Sequence, residues 1–204
     1  MSKKIILVGF FNESIELCED TGYDIIGVVD NECPVNIGEY EYIGNDQYVL
    51  DNASKYSNIP VFIVPDSPKN RKNLFEAYKD SGFAIETIIS PHAHISKTAS
   101  IGEGCMIQSG CNISSNVKLG NCVRVNSMAN VMHDSIIGNF STLAPNSVIL
   151  GKCIIGEEVY VGANSTILPK IHVFARSTVG AGAVVTKDVK ADVVVAGVPA
   201  APIK

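Results

Sequence analysis

An unbroken six-residue period of aliphatic side chains from Ile95 to Val185, a small side chain four residues after each, and strand–helix alternation ahead of Ile95 set the expected fold class. They predict an α/β N-terminal domain, Rossmann-like in outline, over residues 1–90. An all-β left-handed parallel β-helix of hexapeptide repeats follows over residues 91–204.

The first domain begins with Lys3–Val8, a β-branched apolar run that fits a buried parallel strand. A short helix is expected over Glu13–Asp20, and a second strand over Asp24–Val29 that ends on Asp30. A polar loop with Gly38 and Gly44 leads to a helix near Asp46–Lys55. Val61–Val64, between Pro60 and Pro65, reads as a third strand. Ser67-Pro68 is an N-cap followed by proline at the first helical position, opening a helix to about Ser81. Ile85–Ile89 is expected to close the sheet as its fourth strand. Strands alternating with helices argue for a small parallel sheet.

From Ile95 every sixth residue is aliphatic, sixteen in a row without a slip. Small or β-branched residues such as Cys105, Cys111, Ser135, Ser141 and Cys153 follow each by four. Glycine follows the aliphatic position at Gly102, Gly120, Gly138, Gly156, Gly162 and Gly180. A period of six means three short strands per coil of a solenoid, one aliphatic side chain pointing inward on each face. Small residues fit where the chain bends, and glycine suits the backbone conformations and close approaches of the corners. Ile95 to Val185 spans 90 residues, which at 18 per coil gives five coils, each burying its apolar surface by stacking on the next.

Hydrophobic residues make up 46% and charged residues 18%, a globular balance. A formal net charge of −5 argues against non-specific binding to nucleic acid or an anionic membrane, because phosphates need clustered Lys and Arg. No apolar run approaches the roughly 20 residues that span a bilayer. The opening run Met1–Gly9 is too short for a signal peptide, so a cytoplasmic protein is expected. Cys18, Cys33, Cys105, Cys111, Cys122 and Cys153 form no CxxC pair and no metal-ligand spacing, and reduced cysteines are expected.

Of four histidines, His92 and His94 lie at the junction of the two domains, where linker or surface roles are expected, and His172 is expected to be exposed. His133 lies two residues beyond the inward-pointing Val131, which aims it outward. Its neighbour Asp134 can share a face with it only at or near a corner, since adjacent residues on a straight strand point oppositely. Gly151 is 18 residues after His133 and so stacks on it one coil on, with adjacent strands roughly 4.8 Å apart.

The run Asn126–Gly156 (NSMANVMHDSIIGNFSTLAPNSVILGKCIIG), the segment VGAGAVVTKD at 179–188 and Gly197-Val198-Pro199-Ala200 resemble the bacterial sugar acyltransferases built on a β-helix. With an α/β domain of about 90 residues ahead of the helix, the chain resembles the group of nucleotide-linked amino-sugar N-acetyltransferases and sialic-acid O-acetyltransferases. The resemblance implies transfer of acetyl from acetyl-coenzyme A, without a metal, to the amine of a nucleotide-linked amino sugar for surface glycans such as O-antigen. It makes His133 the general base, Asp134 its orienting acid and the Gly151 N–H the oxyanion donor, and Asn126 matches an active-site asparagine. Asn126 equally fits a polar residue that stabilises the coil stack. It also implies a homotrimer, with acetyl-coenzyme A between neighbouring β-helices against Gly151, Ala163, Ala181 and Lys187. Thr142 stands where the bacillosamine-pathway enzymes have a second histidine against the acetyl donor; by the resemblance it still meets acetyl-coenzyme A and can donate one hydrogen bond, but it cannot act as a base.

By the same resemblance the acceptor meets the N-terminal domain at Gly9, Phe10, Asn12, Asp30 and Ile63. The turn Gly9-Phe10-Phe11-Asn12-Glu13-Ser14 keeps only the first glycine of a phosphate-cradling loop and carries Glu13 besides. O-acetylation of a sugar hydroxyl, or a β-helix that binds without catalysis, remain the alternatives.

Overall fold

The structure is a computed structural model that describes residues 3–203. Met1 and Ser2 of the opening run, and Lys204 of the tail Val193–Lys204, lie outside the described residues. The chain divides into two compact units between Ile88 and Ile89.

The first unit holds a parallel four-stranded sheet of β1 (Lys3–Val8), β2 (Tyr23–Val29), β3 (Tyr42–Gly44) and β4 (Val61–Ile63), in the order β3-β2-β1-β4. Ile5–Val8 of β1 are buried without alternation, as a strand covered on both faces requires. The helices are α1 (Asn12–Asp20), α2 (Asp46–Asp51), α3 (Ala53–Tyr56) and α4 (Pro68–Asp80). Ser67 caps α4 by accepting from the Asn70 N–H, with Pro68 at its first position as the sequence predicts. The expected single helix near Asp46–Lys55 is broken at Asn52.

The fourth strand differs from expectation. It is β3, inside the polar loop, and not Ile85–Ile89. Ile85 makes one isolated parallel bridge, to Val61. The strand Ile88–Ile89 (β5) belongs to the stack that follows, where the Ser90 N–H donates to the Ile107 carbonyl at 2.8 Å. Ile89 is six residues before Ile95, so it already keeps the hexapeptide register.

The second unit is three stacks of strands, nearly all of two residues and all parallel except the terminal Ala201–Pro202, and these sheets fit a left-handed β-helix. One sheet has eight strands and starts at β5. A six-stranded sheet runs from His94–Ile95 through Asn130–Val131 and Val148–Ile149, and a five-stranded one from Ser100–Ile101 through Ile136–Ile137. Strand partners from His94–Ile95 to Val184–Val185 are 18 residues apart, as Val131 with Ile149 and Ile137 with Ile155, and the step shortens to 16 where Val194 pairs with Thr178. The stack exceeds five coils, because β5 precedes Ile95 and Val194–Ala196 adds a further parallel strand on Thr178–Val179. The tail therefore caps the stack by joining its sheet.

Every inward aliphatic from Ile107 to Val185 is at most 4% exposed. Ile149, completely buried in the middle of the stack, has no room to relax around a cavity. Ile149→Ala is expected to cost about 2–5 kcal/mol, read as a fall in Tm by calorimetry with the β-rich circular dichroism kept below the transition.

The buried small residues also carry hydrogen bonds from coil to coil. Ser135 Oγ donates to the Leu150 carbonyl at 3.0 Å, Ser141 Oγ to Gly156 at 2.7 Å, and the Cys153 thiol to Leu168 at 3.0 Å. All six cysteines are unbridged; burial pushes the Cys111 thiol up to about 11, well away from the reactive thiolate.

The corner glycines are needed for close approach and not for conformation. A Cβ at Gly138 would lie 2.5 Å from the Gly156 carbonyl carbon, whereas the left-handed backbone falls two residues later in the repeat. That position is filled mostly by residues with side chains, among them Asn116, Asp134, Asn146, Lys152 and Asn164, at φ between 56° and 64°.

Candidate active site

His133 and Asp134 occupy the turn between Asn130–Val131 of the six-stranded sheet and Ile136–Ile137 of the five-stranded one. The left-handed backbone of Asp134 (φ 61°) breaks the alternation of a strand and lets two adjacent side chains meet. His133 Nδ1 lies 2.9 Å from Asp134 Oδ2, and the side chains are 54% and 41% exposed. Asp134 Oδ1 accepts from Asn116 Nδ2 at 3.0 Å.

Hydrogen bonds from His133 first and Asn116 second hold the Asp134 carboxyl below its ordinary range. A carboxylate only accepts, so Nδ1 of a neutral imidazole must carry the proton and Nε2 is left with its lone pair. Because the folded carboxyl is the more acidic one, its bond to His133 is present above the ordinary carboxylate range. It is lost as pH falls through the lowered carboxyl pKa. Asp134→Asn, which removes the charge that holds the Nδ1–H, should lower the plateau of turnover at least tenfold; a pH–rate profile of both proteins checks this.

Nε2 is the end that faces Gly151. A Cβ built on Gly151 would sit 2.6 Å from Nε2 and 2.7 Å from Cε1, so the ring lies directly against that backbone. The Lys152 N–H donates to the His133 carbonyl at 2.9 Å, which locks the two corners in register. The Gly151 N–H itself makes no hydrogen bond among the described residues. A basic nitrogen, an unbonded amide N–H beside it and a carboxylate behind it can deprotonate a nucleophile and steady an oxyanion.

The other expected residues scatter. Asn126 is half-buried in the turn after Arg124–Val125, with no side-chain hydrogen bond among the described residues. Ala163 and the exposed Ala181 stack one coil apart, with the Gly182 N–H donating to the Ala163 carbonyl at 2.8 Å. Lys187 is exposed beyond Val184–Val185. Thr142 is fully buried in the eight-stranded sheet, away from the His133 corner, so its expected contact with an acetyl donor is not available on this chain's surface. His92 and His94 are exposed as expected, and His172 is half-buried, stacked on Phe174 at 3.7 Å.

In the first unit, a cavity of about 290 Å³ opens at the carboxyl ends of β1, β2 and β4. Gly9 and Asp30 line it, as expected. Gly9 has φ 96° and its Cα packs so near Pro65 that a Cβ would lie 3.1 Å from Pro65 Cδ, so no other residue suits this turn. Phe10, Asn12 and Ile63 do not line it. Ile63, which pairs with Val8 from the edge strand β4, is only 1% exposed, and Asn12 is exposed at the start of α1. Sequence reading missed Asn31, Asp46, Asn70 and Asn73, which supply the remaining polar lining. Asp46 accepts from the buried Tyr78 hydroxyl at 2.9 Å, while burial raises its carboxyl above the ordinary range. Among the described residues no group of His, Cys, Asp or Glu could hold a metal, and no helix is long and apolar enough to cross a membrane.

Comparison with known proteins shows which solved structures this fold resembles. Residues 83–181, just under half of the chain, match the family model of the GMPPB C-terminal domain. No curated protein matches. Among solved structures, the chain is similar to PerB from Caulobacter crescentus in complex with CoA and GDP-perosamine. The identity is 25%, covering 98% of this chain and 97% of that one, at a TM-score of 0.92. It is also similar to the acetyltransferase domain of PglB from Neisseria gonorrhoeae in complex with acetyl coenzyme A, at 25% identity, full coverage of both chains and a TM-score of 0.90. WeeI from Acinetobacter baumannii matches at 26% identity, over 98% of this chain and all of that one, with a TM-score of 0.86. The resemblance to nucleotide-linked amino-sugar acetyltransferases thus extends over both units.

Proposed function

We propose that this chain is an acyltransferase that moves acetyl from acetyl-coenzyme A to the amine of a nucleotide-linked amino sugar, in the synthesis of surface glycans. The observation that carries the reading is the His133 corner, with Nδ1 turned to Asp134 and Nε2 against Gly151. The whole-length likeness to PerB, with its bound CoA and GDP-perosamine, supports it. The neutral amine attacks the thioester carbonyl carbon while its proton passes to His133 Nε2. The Gly151 N–H donates to the oxyanion, and the Asp134 carboxylate stabilises the imidazolium. When the intermediate collapses the carbon–sulfur bond breaks, and the sulfur leaves as thiolate or takes the proton from His133.

The first unit, on this reading, is a Rossmann-like domain that holds the nucleotide in the cavity at Gly9 and Asp30. Three copies assemble so that Ala163, Ala181 and Lys187 line a groove for acetyl-coenzyme A between neighbouring β-helices. Thiol release with acetyl-coenzyme A and a panel of UDP-, dTDP- and GDP-amino sugars, against free sialic acid, tests the function. Acceptor-dependent release with one nucleotide-linked amine is expected. Release with sialic acid alone would make it an O-acetyltransferase, and no binding of acetyl-coenzyme A by calorimetry would overturn the reading.

A further inference from the structure

The pairing of His133 with Asp134 leaves a physical problem. Both side chains are largely exposed, and a lone exposed pair of this kind holds its geometry only weakly. The corner answers it with a second donor. Asn116 stands 18 residues before Asp134, at the equivalent position one coil earlier, and both have left-handed backbone (φ 60° and 61°). The Asn116 backbone is anchored in turn, its N–H donating to Thr98 Oγ1 at 2.9 Å, a further 18 residues back. Thr98, Asn116 and Asp134 therefore form a hydrogen-bonded ladder along one corner that ends on the imidazole.

Backbone conformation explains an asparagine at this position but not its bond. Asn146 and Asn164 occupy the same left-handed position at another corner, and their side chains make no hydrogen bond among the described residues. Asn139, one residue before the left-handed position of a third corner, likewise donates its amide to Glu157 at 2.8 Å. Among the left-handed asparagines of the described residues, however, only Asn116 gives its amide to a carboxylate, and that carboxylate holds an imidazole. The Asn116 Nδ2 takes one oxygen of Asp134, which leaves the other oriented to accept from Nδ1.

We propose that Asn116 is a positioning residue that acts through Asp134 to hold His133 in its Nδ1–H tautomer, with the Nε2 lone pair against Gly151. The inference rests on the acetyl-transfer reading of this corner for its purpose, but its structural content can be measured without any substrate. Long-range ¹H–¹⁵N correlation spectra of the whole chain, at a pH where the imidazoles are neutral, report the tautomer; the spectrum of His133→Ala identifies the His133 signals. The wild type should show the Nδ1–H form, and Asn116→Ala should shift His133 toward the Nε2–H form favoured by free imidazole. With the acceptor found by thiol release, Asn116→Ala should lower kcat roughly tenfold with KM unchanged, and Asn116→Ala/Asp134→Asn should be no slower than Asp134→Asn alone. Unchanged tautomer populations in Asn116→Ala, even with a lower Tm, would overturn the proposal. So would rate losses that multiply in the double variant. If no acceptor is ever found, the function fails while the tautomer shift still decides this point.

Discussion

Replacing His133 with alanine is expected to lower turnover by about 10² to 10⁴, the scale of a lost general base. The fold should not suffer. The side chain is 54% exposed, and the contact that ties this corner to the next coil is made by the His133 carbonyl, which alanine keeps. The loss should fall equally on kcat and kcat/KM, because the base acts on a proton that moves only in the transition state. Steady-state kinetics with the acceptor found by thiol release would check it. Near-wild-type turnover in His133→Ala, with the protein folded, would remove this corner from the chemistry.

A methyl group on the facing glycine should do almost as much damage without touching a titratable residue. Gly151 has no left-handed backbone to protect, so alanine there is not conformationally strained. Its Cβ, however, would lie 2.6 Å from His133 Nε2, and the imidazole has open solvent to swing into. The expected result for Gly151→Ala is a well-folded protein with Tm close to wild type and turnover down about 10²-fold. A misplacement of the base by an ångström is enough for that. Thermal denaturation and turnover measured on the same sample separate this from a folding defect. Full activity would mean that the imidazole works from some position other than the one it holds.

The difference between these two residues and the rest shows what sequence could and could not reveal. The hexapeptide register was legible because it repeats one requirement, an apolar side chain facing inward, at sixteen successive sites. The same register placed Gly151 over His133, since strand partners follow at a fixed step. Asn116 was within reach of that reasoning, 18 residues before Asp134, but its bond depends on the left-handed turn, which no periodicity displays. Ile88–Ile89 was mistaken for part of the first sheet because an apolar pair says nothing about its partner, although Ile89 stood in register with Ile95. Tyr42–Gly44 was hidden for the opposite reason: three residues in a polar loop become a strand only by pairing with β2. The cavity in the first unit draws Asp30, Asp46 and Asn73 from a strand end and two helices. Convergence of that kind leaves no local pattern.

The fixed step between stacked residues also governs how this chain can change in length. Loss of a single residue between two corners would turn every later inward side chain out toward water. Loss of a whole coil keeps the core intact and is the least disruptive deletion a solenoid permits. Taken between His133 and Gly151, however, it would bring Pro169 to the place where Gly151 now lies, since Pro169 follows Gly151 by 18 residues. Proline has no N–H to offer, and its ring would occupy the space against the imidazole. In this protein a coil can be removed cheaply in most of the stack, but across this one corner the architecture would survive the cut and the chemistry would not.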